Sequence, residues 1–295
     1  MAVAPPFGRL VTAMVTPFTP GGDEVDLGAA SRLALYLVDE QKNDALVVNG
    51  TTGESPTTSD AEKAALVRVV VDAVGDRAEV IAGVGTNDTR HSQRLAREAA
   101  DAGATGLLVV TPYYSKPPQD ALVAHFTAVA DTTDLPVLVY DIPHRAGVAV
   151  ETATLIRLAE HPRIVGVKDA KGSPAASAQV MAATGLAFYA GDDAMLLPLL
   201  AVGGVGVVGT STHFSGARTA DVISAWLAGD TATALELYRS VLAVYTGVFA
   251  TQGVMLVKAG LAARGFDRWP VRPPLLDASE SETAAFVARL DATGL

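Results

Sequence analysis

Eight short apolar runs recur along the chain: LVTAMVT (10–16), ALVVNG (45–50), EVIAGVG (79–85), GLLVVTP (106–112), PVLVYDI (136–142), RIVGVKD (163–169), LAFYAGD (186–192) and VGVVGTS (205–211). Most are continuous rather than alternating in polarity. That is the pattern of parallel strands covered on both faces, since a strand with one wet face alternates. Amphipathic segments fill the gaps. In SDAEKAALVRVVVDAVGD (59–76), Ser59 or Asp60 can cap a helix, and Glu62 stands three residues after Ser59, as in a capping box. In DTRHSQRLAREAADAG (88–103), Leu95 and Ala99 share one face, Arg90, Arg94 and Arg97 lie elsewhere, and Gly103 offers a C-terminal stop.

Eight strand–helix units over about 220 residues predict an α/β fold, a (β/α)8 TIM barrel spanning residues 1–225, with a doubly wound sheet as the alternative. Residues 226–295 read as helical (TATALELYRSVLAVYTGVFATQGVMLVKAGLAARG, then SETAAFVARLDA) and lack the composition of a linker. They are expected to form a C-terminal helical extension packed on the barrel.

Composition narrows the classes of function. The chain has 295 residues, 49% of them hydrophobic, enough for a large core. Its formal charge of -10 and pI of about 4.9 argue against nucleic acid or an anionic membrane as partner. An anionic substrate must then be held by a local cationic site. With no cysteine there can be no disulfide and no thiolate nucleophile. MAVAPPFGRL lacks the basic and apolar regions of a signal peptide, and LLPLLAVGGVGVVG (196–209) is too short and glycine-rich for a membrane span. A cytoplasmic location is the expectation.

In a barrel of this kind chemistry sits at the C-terminal ends of the strands. The segments closing the apolar runs are NGTTGES, TPYYSKPP, YDIPHR, KDAKG, GDD and GTSTH. Lys168 ends the sixth run. In a water-poor barrel mouth its amine would lose charge and could attack a carbonyl; otherwise it snorkels to solvent or pairs with Asp169. Tyr140 closes the preceding run, where its phenol could relay protons or simply pack. Gly50 and Gly53 allow GTTGES to turn tightly, so that backbone N–H groups and the hydroxyls of Thr51 and Thr52 could hold a carboxylate; the plainer alternative is a capped turn. Arg145 offers a fork for a second carboxylate, or is a surface arginine. Tyr113 and Tyr114 form an aromatic loop tip suited to a subunit contact, to chemistry, or to both. Lys171 reads as a solvated loop residue.

Two patterns are discounted. GVGVVG (204–209) has dinucleotide-binding spacing, with Asp230 about 20 residues on, but its glycines would form a strand rather than follow one. Asp192 and Asp193 could ligate Mg²⁺ but lack a third ligand nearby, and His91, His125, His144, His161 and His213 show no metal-ligand spacing. No metal is expected.

GTTGES, VTPYYSKPP, YDIPHRAG and VGVKDA together resemble the dihydrodipicolinate synthase / N-acetylneuraminate lyase family of class I aldolases, over nearly the whole chain. The double threonine favours the synthase branch. The resemblance implies that Lys168 forms a Schiff base with C2 of pyruvate, and that Tyr140, Thr51 and Tyr114 relay protons, Tyr114 reaching across a dimer interface. It further implies that Thr51 and Thr52 hold the pyruvate carboxylate, that Arg145 receives L-aspartate 4-semialdehyde, and that Gly191 and the Val208 carbonyl line the site. The implied activity is a condensation in lysine and diaminopimelate biosynthesis, with no cofactor, carried out by a homotetramer of paired dimers. Two departures bear on the aldehyde: His144 before the arginine, and GTSTHF (209–214) after the eighth strand, where a more apolar pattern is usual. They motivate a sister pyruvate aldolase, acting on a 2-keto-3-deoxy sugar acid or of N-acetylneuraminate type, as the second reading. A non-catalytic pyruvate-binding paralogue is the third. The family's lysine feedback site maps onto Ser55, Pro56, Asp60, Lys63, Asn87, His91 and Tyr113. With His91 in place of a glutamate and Lys63 adding like charge, weak or absent lysine inhibition is expected.

Overall fold

The computed structural model describes residues 3–295. Its eight strands are β1 (Leu10–Ala13), β2 (Ala45–Val48), β3 (Glu79–Gly83), β4 (Gly106–Val110), β5 (Val137–Asp141), β6 (Ile164–Asp169), β7 (Ala187–Ala190) and β8 (Gly206–Gly209). They pair in parallel, in sequence order, and β8 closes on β1. Closure removes the doubly wound alternative and confirms the TIM barrel.

The continuous apolar runs follow from this closure. Residues of one parity (Val11, Ala45, Val47, Ile81, Leu108, Leu138, Val208) fill the barrel interior, while the other parity (Leu10, Leu46, Val48, Val80, Leu107, Val139, Val207) meets the helices. Both faces of each strand are therefore dry. Phe7 plugs the N-terminal end so closely that a side chain on Gly106 would meet its ring at 2.4 Å, which explains the glycine opening β4.

The intervening helices carry their sequence-level caps. Ser59 and Glu62 form the reciprocal capping box of helix Asp60–Val74. Helix Thr89–Asp101 buries Leu95 and Ala99, and Gly103 follows at φ 92°, the left-handed geometry that ends helices. Helix Thr212–Leu227 completes the barrel ring, and Thr231–Gly247, Gly253–Ala263 and Glu280–Thr293 form the helical extension. Among the described residues no helix is long and apolar enough to cross a membrane.

The extension is tied to the barrel by buried charge. Lys258 donates to the Glu54 carboxylate at 2.6 Å and to the Pro270 carbonyl at 2.7 Å, while the Arg272 N–H donates to the other Glu54 oxygen at 2.8 Å. Glu54 belongs to GTTGES and has φ 55°, a strained value for a residue with a side chain. The extension thus grips the turn that carries Thr51 and Thr52.

Candidate active site

Lys168 and Tyr140 are cross-strand partners at the C-terminal ends of β6 and β5. Simple alternation from the outward Ile164 would aim Lys168 outward as well. The β5–β6 register, however, shifts by one residue between Val137 and Leu138, so β6 gains an extra residue at Val165. This bulge re-phases the strand: Val167 faces the helices and Lys168 faces the barrel. Gly166 is needed beside it, since a β-carbon there would lie 2.5 Å from the Ala187 carbonyl oxygen.

Lys168 is 4% exposed, and its ammonium sits 4.3 Å from the Tyr140 ring centroid. Burial lowers its pKa to about 8, helped by Arg145 and opposed by Asp193. Burial likewise pushes the Tyr140 phenol upward, so it is protonated and able to donate. Asp169 does not pair with Lys168; its carboxylate accepts from the Ser177 hydroxyl and the Lys171 N–H.

Lys168, Tyr140, Thr51, Thr52, Arg145 and Gly191 line one cavity of about 500 Å³. The GTTGES turn closes on itself through Glu54 N–H to the Thr51 carbonyl and Ser55 N–H to the Gly50 carbonyl. Among the described residues the N–H groups of Thr51 and Thr52 make no hydrogen bond to backbone, which leaves donors for a carboxylate. Gly191 approaches Asp169 closely, its N–H donating to that carbonyl at 2.7 Å. Two other expected residues are not among those lining this cavity, though Tyr114 is expected at a neighbour's site and Val208 through its backbone carbonyl alone. Val208 is buried in the barrel interior. Tyr114 is 89% exposed at φ 73° and lines an adjoining hollow of about 630 Å³, which shares Thr51, Tyr140 and Arg145 with the cavity.

Several features were not legible in the sequence. Asp193 is buried and accepts from the Thr210 and Ser211 N–H groups and the Ser211 hydroxyl. Its carboxylate fixes the loop after β8, and burial raises its pKa. The polar GTSTHF segment is consumed internally in the same way. Thr212 accepts from the Thr12 hydroxyl, and the His213 ring takes the Val15 N–H at Nε2 while Nδ1 meets the Thr210 carbonyl. Of this segment Thr210 alone lines the cavity, with its hydroxyl 3.4 Å from that of Thr52. His144 lines the cavity and is exposed. Lys171 corrects an expectation. It is not solvated: its side chain is 12% exposed and its ammonium lies 3.1 Å from buried Asp141, because the loop after β6 folds back over β5.

A sequence profile of the dihydrodipicolinate synthetase family matches residues 6–293. The chain belongs to this family. It is 60% identical to the 4-hydroxy-tetrahydrodipicolinate synthase of Acidothermus cellulolyticus, covering 98% of this chain and 93% of that one. It is also 60% identical to the enzyme of that name from Cutibacterium acnes, covering 99% of each. Among solved structures, dihydrodipicolinate synthase from Cyanidioschyzon merolae with lysine bound superposes with a TM-score of 0.95 at 40% identity, covering 98% of this chain and 99% of that one. The chloride-inhibited synthase from Acinetobacter baumannii complexed with pyruvate gives 0.93 at 32%, covering 98% and 99%.

Proposed function

We propose that the protein is a 4-hydroxy-tetrahydrodipicolinate synthase that joins pyruvate to L-aspartate 4-semialdehyde, in lysine and diaminopimelate biosynthesis. The observation that carries this reading is Lys168 itself, a buried amine stacked on Tyr140 in a cavity that also holds the threonine turn and an arginine. With a pKa of about 8, about a tenth of the amine is neutral at pH 7, against well under a thousandth for an ordinary lysine.

The neutral amine adds to C2 of pyruvate. Loss of water then gives the protonated imine, whose nitrogen accepts the electron pair when a C3 proton leaves. The resulting enamine attacks the semialdehyde carbonyl. The substrate's own amine then displaces Lys168 as the ring closes. The imine is the electron sink throughout, so the chemistry calls for no cofactor. Tyr140, Thr51 and the Tyr114 of a second subunit carry the protons, and the Thr51–Thr52 turn holds the pyruvate carboxylate. The exposure of Tyr114, unusual for an aromatic side chain, supports its insertion into a partner; the proposed assembly is a homotetramer of paired dimers in the cytoplasm.

The polar GTSTHF segment no longer argues for another aldehyde, since nearly all of it is spent on internal bonds. Lysine feedback is proposed to be weak. Asp60 is held by His91 at 2.9 Å and Arg94 at 2.7 Å, and the Lys63 ammonium turns to the Thr58 carbonyl. The test of the function is turnover of purified protein with pyruvate and L-aspartate 4-semialdehyde, read through a reductase that consumes the product. Turnover is expected. Pyruvate adduct formation without turnover would instead point to a different aldehyde.

A further inference from the structure

Arg145 lies on the short helix Pro143–Ala146 after β5, and its Nη1 donates to Gln252 Oε1 at 3.0 Å. Gln252 comes from the extension, where it occupies the N-cap position of helix Gly253–Ala263. Its side chain does not cap that helix but crosses to the guanidinium. The pair stands at a divide. Both residues line the Lys168 cavity, and both line an outer hollow of about 260 Å³ shared with Thr52 and Arg272.

We infer that Gln252 is a positioning residue that sets specificity for an anionic aldehyde. The inference rests on the proposed function and deepens it. An amide oxygen fixes the guanidinium's direction as a carboxylate would, but leaves its charge intact. Among the described residues no other group bonds the remaining fork, Nε and Nη2, which can take the acceptor's carboxylate, and the Gln252 NH₂ adds two donors beside it. A glutamate at the same position would form an internal ion pair and compete with the substrate. The neutral partner is therefore the one compatible with an arginine that must stay available.

The experiment compares wild type with Gln252→Glu and Gln252→Met. It measures KM and kcat for L-aspartate 4-semialdehyde, KM for pyruvate, the borohydride adduct with pyruvate, and binding of 4-oxobutanoate, which keeps the aldehyde and carboxylate but has no amine to cyclise. Gln252→Glu should raise the semialdehyde KM and weaken 4-oxobutanoate roughly tenfold or more. Gln252→Met should do so by roughly two- to tenfold. Pyruvate KM and the adduct should hold in both variants. A Gln252→Glu enzyme with unchanged semialdehyde KM overturns the inference, as does an equal rise for both substrates, which would mark a structural role. If wild type forms the adduct but neither turns over the semialdehyde nor binds 4-oxobutanoate, the proposed acceptor falls and Gln252's role falls with it.

Discussion

An ammonium surrounded by Tyr140 and the barrel wall loses hydration, and an aromatic face replaces only part of it. That loss is why Lys168 titrates near 8. Burial alone does not make a nucleophile. Lys258 is also lowered by burial, yet Glu54 and the Pro270 carbonyl hold its ammonium in place outside the cavity. The distinction gives a pH prediction. Because the depressed group reacts as the neutral amine, the rate of imine formation should rise with pH to a midpoint of about 8 and level off above it, as read by stopped-time borohydride trapping. A midpoint near the ordinary lysine value would contradict this environment. Arg145 should separate the two substrates. Arg145→Ala is expected to raise the semialdehyde KM roughly tenfold or more while the pyruvate adduct persists, and equal loss of both would reassign the residue.

At the level of elements, the sequence located every strand, because burial on both faces leaves a plain apolar run. Strand-end positions likewise marked Lys168, Tyr140, Thr51, Thr52 and Arg145 as candidates. Side-chain direction was less legible. The bulge at Val165 depends on which residue of β5 pairs with which of β6, a contact between separate segments that neither segment encodes alone. Glu54 and Lys258 stand 204 positions apart, and nothing local announces their pairing. Gln252 is similar, since a glutamine before a helix reads as an indifferent cap until its partner across the cleft is seen. The buried pair carries its own prediction. Lys258→Met leaves the Glu54 carboxylate buried without its cation and should cost about 3–5 kcal/mol, seen as a lowered unfolding midpoint. Adding Glu54→Gln should recover much of that loss, whereas a single variant as stable as wild type would show that the pair does not anchor the turn.

For the whole molecule, the extension supplies one wall of the site as well as packing area. It reaches the barrel through Lys258 on Glu54, Arg272 on Glu62, and Gln252 on Arg145. Tyr114 is 89% exposed on the hollow adjoining the cavity. If it serves a neighbour's Lys168, two defective subunits can complement each other. Mixing unfolded Lys168→Ala and Tyr114→Phe proteins and refolding them together should yield hybrids with activity above either parent, because the first donates Tyr114 to the intact lysine of the second. Hybrids no more active than the parents would place Tyr114 outside the relay.

The whole reaction depends on one covalent bond between Lys168 and pyruvate, so the most direct measurement is where that bond forms. The protein should be treated with pyruvate and borohydride, digested, and mapped by peptide mass spectrometry. A single reduced pyruvate adduct is expected on Lys168, absent from Lys168→Ala. An unmodified chain, or an adduct centred on Lys171 or Lys258, would contradict that expectation.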